Sequence, residues 1–344
     1  MGVALKDLFI AEEIELSNLK DKILAVDSYN LLYQFLTTIR ARDGSLLMDS
    51  KGNITSHLVG LFSRTTKLMQ QGLKLAFVFD GEPPKLKEKE RERRKEVKLD
   101  AEREYKKALE KKDIESMKKY ASRTSRLTKD MVNEAKLLIK SLGLPIVDAP
   151  CEGEAQAAFM AKNGSAYAIV SQDFDSLLHG APIIVRNLSI AGKRKMVNKL
   201  QYENVKPESI NLTDNLNNLG IDQEQLIALA LLVGTDYNIG GIKGIGPKKA
   251  LELVKKHGKN FDNIFKEANW DSHFQYPWTE VYYLIKNMPV TKDYDLEWKP
   301  IEKENLIKLL VEKHDFAEER VNNSINALMA ENEAKKQKGL QDFF

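Results

Sequence analysis

The sequence predicts an α/β protein built on a mostly parallel central sheet flanked by helices. Two observations carry this: short apolar, β-branched runs alternate with helix-period segments, and the runs close on carboxylates, where a parallel sheet presents its ligand-binding edge. At 344 residues the chain exceeds the roughly 250 to 300 at which one core stops growing, so one large elaborated domain or two sharing a core are expected.

The first strand is read at 23–26 and is followed by a helix at about 31–40. A second helix at 56–71 leads to a strand at 75–79. The segment 133–142 reads as a helix with Leu137, Leu138 and Leu142 on one face and Gly143 as its stop, and strands follow at 167–171 and 182–186. Two regions break the alternation. Residues 85–130 hold eighteen Lys/Arg against eleven Asp/Glu, a charge of +7, whereas the remainder carries 35 basic and 39 acidic residues. There Val97, Ala101, Tyr105 and Leu109 recur every four residues, which predicts a narrow-striped helix, although charge runs are more often simply solvated faces. Residues 226–257 read as two helices around a glycine-rich turn, with Pro247 placed as the first residue of the second.

Composition excludes several classes. Cys151 is the one cysteine, so there is no internal disulfide framework and no cysteine-based zinc site, which suits a reducing compartment. No apolar run approaches the ~18 residues of a membrane span, and the first residues lack both a signal peptide's apolar region and the Ser/Thr of a myristoylation site. The expectation is a soluble intracellular protein.

The acids are the most informative feature. Asp27 closes one strand, Asp80 closes another, and Asp173 with Asp175 follows a third. Glu152 and Glu154 lie just before the alanine-rich helix at 155–161, and Asp236 follows Leu231-Leu232-Val233-Gly234-Thr235. Any one of these acids alone is better read as a helix cap or first-turn charge. Seven together exceed what capping needs, and their mutual repulsion calls for cations. Oxygen-only ligands favour Mg²⁺ or Mn²⁺, and two such ions suit phosphodiester hydrolysis. The five histidines are scattered without metal or triad spacing.

Residues 241–251, with Gly241, Gly244, Gly246 and Pro247, fit a helix-hairpin-helix that binds a DNA phosphate through backbone N–H groups, to which Lys248 and Lys249 add charge. Lys87, Arg91 and Arg94 share a helical face close after Asp80, where they can orient a scissile phosphate. Tyr33 is equally readable as a base-stacking residue or as an ordinary rim aromatic.

Met1-Gly2-Val3, Val26-Asp27, Tyr33-Gln34-Phe35, Thr55-Ser56-His57-Leu58, Val78-Phe79-Asp80-Gly81-Glu82-Pro83-Pro84, Ala149-Pro150-Cys151-Glu152-Gly153-Glu154-Ala155, Ser171-Gln172-Asp173-Phe174-Asp175 and Gly234-Thr235-Asp236-Tyr237 together resemble the structure-specific 5′ nucleases, most closely flap endonucleases of archaeal type. The resemblance spans essentially the whole chain. It implies a PIN-like 5′ nuclease fold and a Mg²⁺-dependent enzyme with 5′ flap endonuclease and 5′-3′ exonuclease activity in Okazaki-fragment maturation and base-excision repair. All seven acids match the family's two-metal positions, Lys87 and Arg94 its catalytic basic pair, Tyr33 its stacking tyrosine, and Gly2, exposed by removal of Met1, a residue near the site. Thr55 and Arg64 are implied DNA contacts. The basic segment would form a helical arch threaded by the 5′ strand.

At the end of the chain, Gln337, Leu340, Phe343 and Phe344 have the spacing of a peptide that binds the sliding clamp PCNA, on a tail expected to be mobile until bound. The resemblance also has departures: the chain stops at Phe344 without a long basic tail, which points to an archaeal-type protein, and Ser63 stands where relatives often carry an aromatic. The expected layout is a nuclease core at 1–84 and 131–238, the arch at 85–130, the hairpin at 239–258, a helical part at 259–332 and a clamp-binding tail at 333–344. The expected protein is a monomer that acts on branched DNA in an archaeal-type cytoplasm. The alternatives are a related nuclease acting on repair bubbles or junctions, and a silent junction-binding module that recruits the clamp. Only 72 positions separate Asp80 from Glu152, which argues against the bubble-cutting relatives with their long insertion.

Overall fold

A computed structural model describes residues 3, 5–41, 44–111, 113, 116, 120, 124–190, 192–195 and 202–341, with side chains described outside 192–195, 202–204 and 332–341. Nine strands are described: β1 (Glu12–Glu13), β2 (Ile23–Asp27), β3 (Lys74–Phe79), β4 (Ile146–Asp148), β5 (Ala168–Val170), β6 (Ile183–Arg186), β7 (Gly192–Lys195), β8 (Tyr202–Val205) and β9 (Glu208–Asn211). Seven form one sheet in the order β1-β9-β6-β5-β2-β3-β4, and β7 pairs with β8 as a separate hairpin. From β4 through β6 the neighbours are parallel, and β9 and β1 add an antiparallel edge.

Alternation along each strand divides the core. Leu24, Val26, Leu75, Phe77, Phe79 and Val170 point into one apolar cluster, while Ala25, Ala76, Val78 and Ile169 point into the other. The first cluster receives α1 (Ser28–Thr38), α2 (Ser56–Gln70) and α4 (Lys129–Ser141) through Leu32, Phe35, Leu58, Leu61 and Leu138. On the second face, Ala25 and Ala76 leave room for α5 (Gly153–Lys162), whose Ala155, Ala157 and Ala158 are buried there. Beyond it lies α8 (Gln223–Val233), whose residues from Leu226 to Leu232 are all buried, as an all-round apolar helix requires.

The chain runs outward from β2 through β3 to β4 and then returns to the opposite side of β2 as β5. That reversal opens a crevice at the strands' carboxyl ends, between β2 and β5.

Several elements differ from the sequence expectation. α1 begins at Ser28 rather than at 31, because the Asp27 side chain accepts from the Asn30 amide and caps it. α4 begins at Lys129 with Thr128 as its cap, and its buried face is Met131, Ala135, Leu138 and Ile139, so Leu137 is an exposed residue. The strands read at 167–171 and 182–186 are shorter, Ala168–Val170 and Ile183–Arg186. The basic segment does form a helix, α3 (Glu88–Glu110), preceded by a 3₁₀ turn at Lys85–Lys87. Its apolar stripe is buried only in part, however: Ala101 is enclosed, whereas Val97 and Leu109 are about half exposed, and the other enclosed residues of the helix are Glu90 and Ala108. The last helix, α13 (Glu318–Gln341), continues through the stretch expected to be an irregular tail, since Ala, Glu, Lys and Gln are good helix formers.

Candidate active site

The acids collect at the crevice. Val26 is in register with Val170 and Asp27 with Val78, so Asp80 and Asp173 leave the sheet just beyond Asp27 on either side of it. Ser171 Oγ donates toward Asp27 Oδ2 and Glu154 Oε1, both at 3.3 Å. Asn30 Nδ2 donates to Asp173 Oδ2 at 2.9 Å. The Gly153 amide, at the start of α5, donates to Asp80 Oδ1 at 2.7 Å, and the Val3 amide to Asp175 Oδ1 at 2.7 Å, which brings the N-terminal segment to the site. Gly2 itself lies outside the described residues.

Asp236 follows a helix, α8, rather than a strand. The Thr235 amide and hydroxyl both donate to Asn238 Oδ1, at 3.1 and 2.7 Å, and Asn238 Nδ2 donates to the Leu231 carbonyl at 2.6 Å. Tyr276 donates its hydroxyl to the Tyr237 carbonyl at 2.9 Å, so the C-terminal helical part braces the same loop.

Electrostatics mark this as a strained anionic patch. Burial pushes the Asp27 carboxyl well above the usual carboxylate range, and the charges of Asp80 and Asp173 push it further. Glu154 and Asp175 are raised in the same way, first by burial and then by neighbouring acids. Asp80 is raised by burial and by Glu152, against the pull of the Gly153 amide and Lys87. Protein cations answer only part of this charge. Lys87 Nζ lies 2.5 Å from Glu152 Oε2 and 3.4 Å from Asp236 Oδ2, and Arg94 Nη2 lies 2.7 Å from Asp236 Oδ1. Arg91, expected on the same face, is exposed and takes no part in these pairs.

The donor set fits a hard divalent ion. It is all oxygen, it lies at one edge, and burial and mutual repulsion raise Asp27, Asp80, Glu154 and Asp175, a cost that added positive charge would relieve. As the side chains lie, no three acids or histidines among the described residues converge on one point, and Lys87 and Arg94 occupy the side of the cluster formed by Glu152 and Asp236.

The remaining candidate residues lie on several other elements. Tyr33 is exposed enough to offer a ring face, which Lys98 of α3 covers at 4.9 Å from the centroid. Thr55 is buried at the start of α2, its amide bonded to the Leu47 carbonyl at 2.7 Å, while Arg64 lies half-buried on the same helix beside Leu68 and Ser189. In the hairpin, Gly244 and Gly246 are exposed with open space where a side chain would stand, and Lys248 and Lys249 are exposed on α9 (Pro247–His257). Gly241 has a different role: it is buried at φ +57°, and a Cβ there would meet the Val233 backbone at 2.3 Å, so its packing against α8 requires glycine. Of the terminal peptide, Gln337 and Leu340 fall within α13, where side chains are not described, and Phe343 and Phe344 lie outside the described residues. Sequence reading missed Asn30 and Ser171, polar residues whose roles exist only through partners distant in the chain, and Glu90, whose arginine partners stand three and four residues further along the same helix, a spacing the sequence displays.

Family comparison gives the class. The pattern of the XPG N-terminal domain matches residues 3–101 and that of the XPG I-region residues 143–236, which makes this a nuclease of XPG type. Among curated relatives, flap endonuclease 1 of Thermococcus onnurineus is 49% identical, covering 100% of this chain and 99% of that protein. Flap endonuclease 1 of Pyrococcus abyssi is 50% identical, covering 100% and 98%. The solved structure of flap endonuclease-1 from Methanococcus jannaschii superposes with a TM-score of 0.76 at 42% identity, over 97% of this chain and 100% of that one. The catalytic core of Rad2 in complex with DNA substrate follows at 0.70 and 25%, over 95% and 100%. The chain belongs to the flap endonuclease 1 family.

Proposed function

We propose that this chain is a structure-specific 5′ flap endonuclease and 5′-3′ exonuclease that hydrolyses DNA phosphodiesters with two Mg²⁺ ions, Mn²⁺ serving as substitute. The observation that carries the reading is the meeting of seven acids at the sheet's carboxyl edge with Lys87 and Arg94 from the base of the basic arch. Asp27, Asp80, Glu152, Glu154, Asp173, Asp175 and Asp236 would hold the ions, which when bound supply the positive charge that activates water and stabilises the leaving oxygen.

The chain's own residues do the rest. Lys87 and Arg94 exchange their contacts with the acids for the scissile phosphate, orienting it and stabilising the charge that develops on its oxygens. Tyr33 offers a face on which an unpaired base stacks. The exposed amides around Gly244 and Gly246, with Lys248 and Lys249, hold a duplex phosphate and set the distance from duplex to cut. Such contacts read shape and not sequence, as a replication and repair nuclease requires. Among the described residues no helix is long and apolar enough to cross a membrane.

Incubation of a labelled double-flap DNA with Mg²⁺ or with EDTA tests the reading. Cleavage at the flap base in Mg²⁺ alone is expected, with Asp80→Ala silent yet still binding the flap, because phosphate contacts elsewhere dominate affinity. Near wild-type turnover by Asp80→Ala would overturn the metal assignment. The terminal Gln337, Leu340, Phe343 and Phe344 support a sliding-clamp tether. Calorimetry with the clamp should show binding lost in Phe343→Ala/Phe344→Ala while clamp-free cleavage persists; equal clamp affinity would refute the tether.

A further inference from the structure

Glu90 is out of place on the arch. On α3, a helix of mostly solvated charges, it is 3% exposed. Its Oε1 accepts from Arg94 Nε at 2.6 Å and from Arg93 Nη2 at 2.7 Å, and its Oε2 accepts from Arg93 Nε at 2.7 Å. Burial alone would raise its pKa, but the hydrogen bonds from Arg93 and Arg94 hold it below its ordinary value.

A guanidinium is a rigid plane with five N–H donors, so fixing two of its edges fixes the whole group. Arg94 is held in this way: Nε bonds Glu90 four residues back on its own helix, and Nη2 reaches Asp236 at 2.7 Å. Of these two holds, only Glu90 belongs to the arch and keeps its geometry when the acids take up another charge. The ordinary reading is that Glu90 is a first-turn acid answering the helix dipole, as Glu88 beside it does. Glu88 is exposed, however, whereas the Glu90 carboxylate is enclosed and uses both oxygens on arginines.

We propose that Glu90 is a positioning residue for flap cleavage: it locks the Arg94 guanidinium in the plane that meets the scissile phosphate, with Arg93 as the counter-ion that keeps the lock charged. The proposal rests on the reading of Arg94 as a phosphate-orienting group. Without the lock, Arg94 would still be cationic and still attract DNA, but it would sample many rotamers, so the loss should fall on the chemical step and not on binding.

The test is a double-mutant cycle on the full chain: wild type, Glu90→Ala, Arg94→Ala and the double variant, with Glu90→Gln as an isosteric partner. Single-turnover cleavage of a double flap, DNA affinity by fluorescence anisotropy and melting temperature are read for each. Arg94→Ala is expected to slow cleavage by ~10²-fold, and Glu90→Ala and Glu90→Gln by about tenfold with affinity within about twofold. The double variant should be no slower than Arg94→Ala alone, since the lock has nothing left to hold. Rates that multiply in the double variant, or wild-type rates in both Glu90 variants, would overturn the lock while leaving Arg94's role standing. A wild-type rate in Arg94→Ala would overturn the reading of Arg94, and the lock with it. Should Glu90→Ala melt early, Glu90→Gln decides.

Discussion

Asp80 accepts the first amide of α5 and also stands among the acids, so one side chain serves as helix cap and candidate metal ligand. The position of Gly153 is what allows this. A Cβ there would lie 2.6 Å from Asp80 Oδ1, closer than real contacts come. Gly153→Ala should therefore displace that carboxylate although alanine suits a helix better by about 1 kcal/mol. The expected result is a single-turnover rate at least ~10-fold lower with little loss of melting temperature, since an ångström at a catalytic group costs more than it does in the fold. An unchanged rate would mean that Asp80 tolerates the shift. The acids themselves were legible because strand ends in a parallel sheet are where ligands gather, and they remain visible as residues. Asn30 and Ser171 were not legible, since an Asn two residues into a helix and a Ser at a strand end look ordinary until Asp173 and Asp27 arrive beside them.

The helix-hairpin-helix shows what element-level reading can and cannot separate. Its glycines look alike in sequence, yet Gly241 is consumed by packing against Val233 while Gly244 and Gly246 stay open. The surface left open for a phosphate is thus the turn after Ile242 and the first turn of α9, where Lys248 and Lys249 are exposed. Lys248→Glu with Lys249→Glu should weaken every duplex-containing substrate and reduce the salt slope of binding by ~2, because two phosphate contacts are removed. Anisotropy titrations over a range of salt measure this; lost activity with an unchanged slope would assign the lysines to folding or chemistry. The basic segment was legible as a helix from the four-residue recurrence of Val97, Ala101, Tyr105 and Leu109, but that recurrence did not mark which positions are enclosed. The enclosed positions of α3 are Glu90, Ala101 and Ala108, which do not share a four-residue period, so Val97 and Leu109 stay about half exposed. Short strands escaped for a different reason: β4 has three residues and β1 two, too few for any period to register.

At the scale of the whole molecule, the segment that follows α12 (Lys303–Ile307) is tied to the first half of the chain by an ionic network. His314 Nδ1 faces Asp49 Oδ2 at 2.9 Å and its Nε2 faces Glu134 Oε1 at 3.0 Å, while Lys313 adds a 2.7 Å pair to Glu134. Next to it His57 is wholly buried, 3.8 Å from Glu134, with neither ring nitrogen hydrogen-bonded among the described residues. Histidines that look scattered along the sequence therefore meet only in the fold, which no spacing rule detects. Burial pulls the His57 pKa down to about 4, Glu134 pulling it back up and His314 pushing it lower. Between about pH 4 and pH 6.5 the folded protein then keeps this ring neutral while the unfolded chain protonates it, so the unfolded state binds the extra proton. Stability from this residue is fully present above pH 6.5 and falls as the pH drops toward 4, by about 1.4 kcal/mol per pH unit and about 3 kcal/mol in all. His57→Leu keeps the volume and removes the proton. Urea unfolding at half-unit pH steps should give a wild-type stability that declines more steeply than the variant's across this window, by one proton, and parallel above it. Parallel curves throughout would mean that His57 is protonated in the fold and paired with Glu134, which would make the network a buried ion cluster instead of a neutral histidine held beside one.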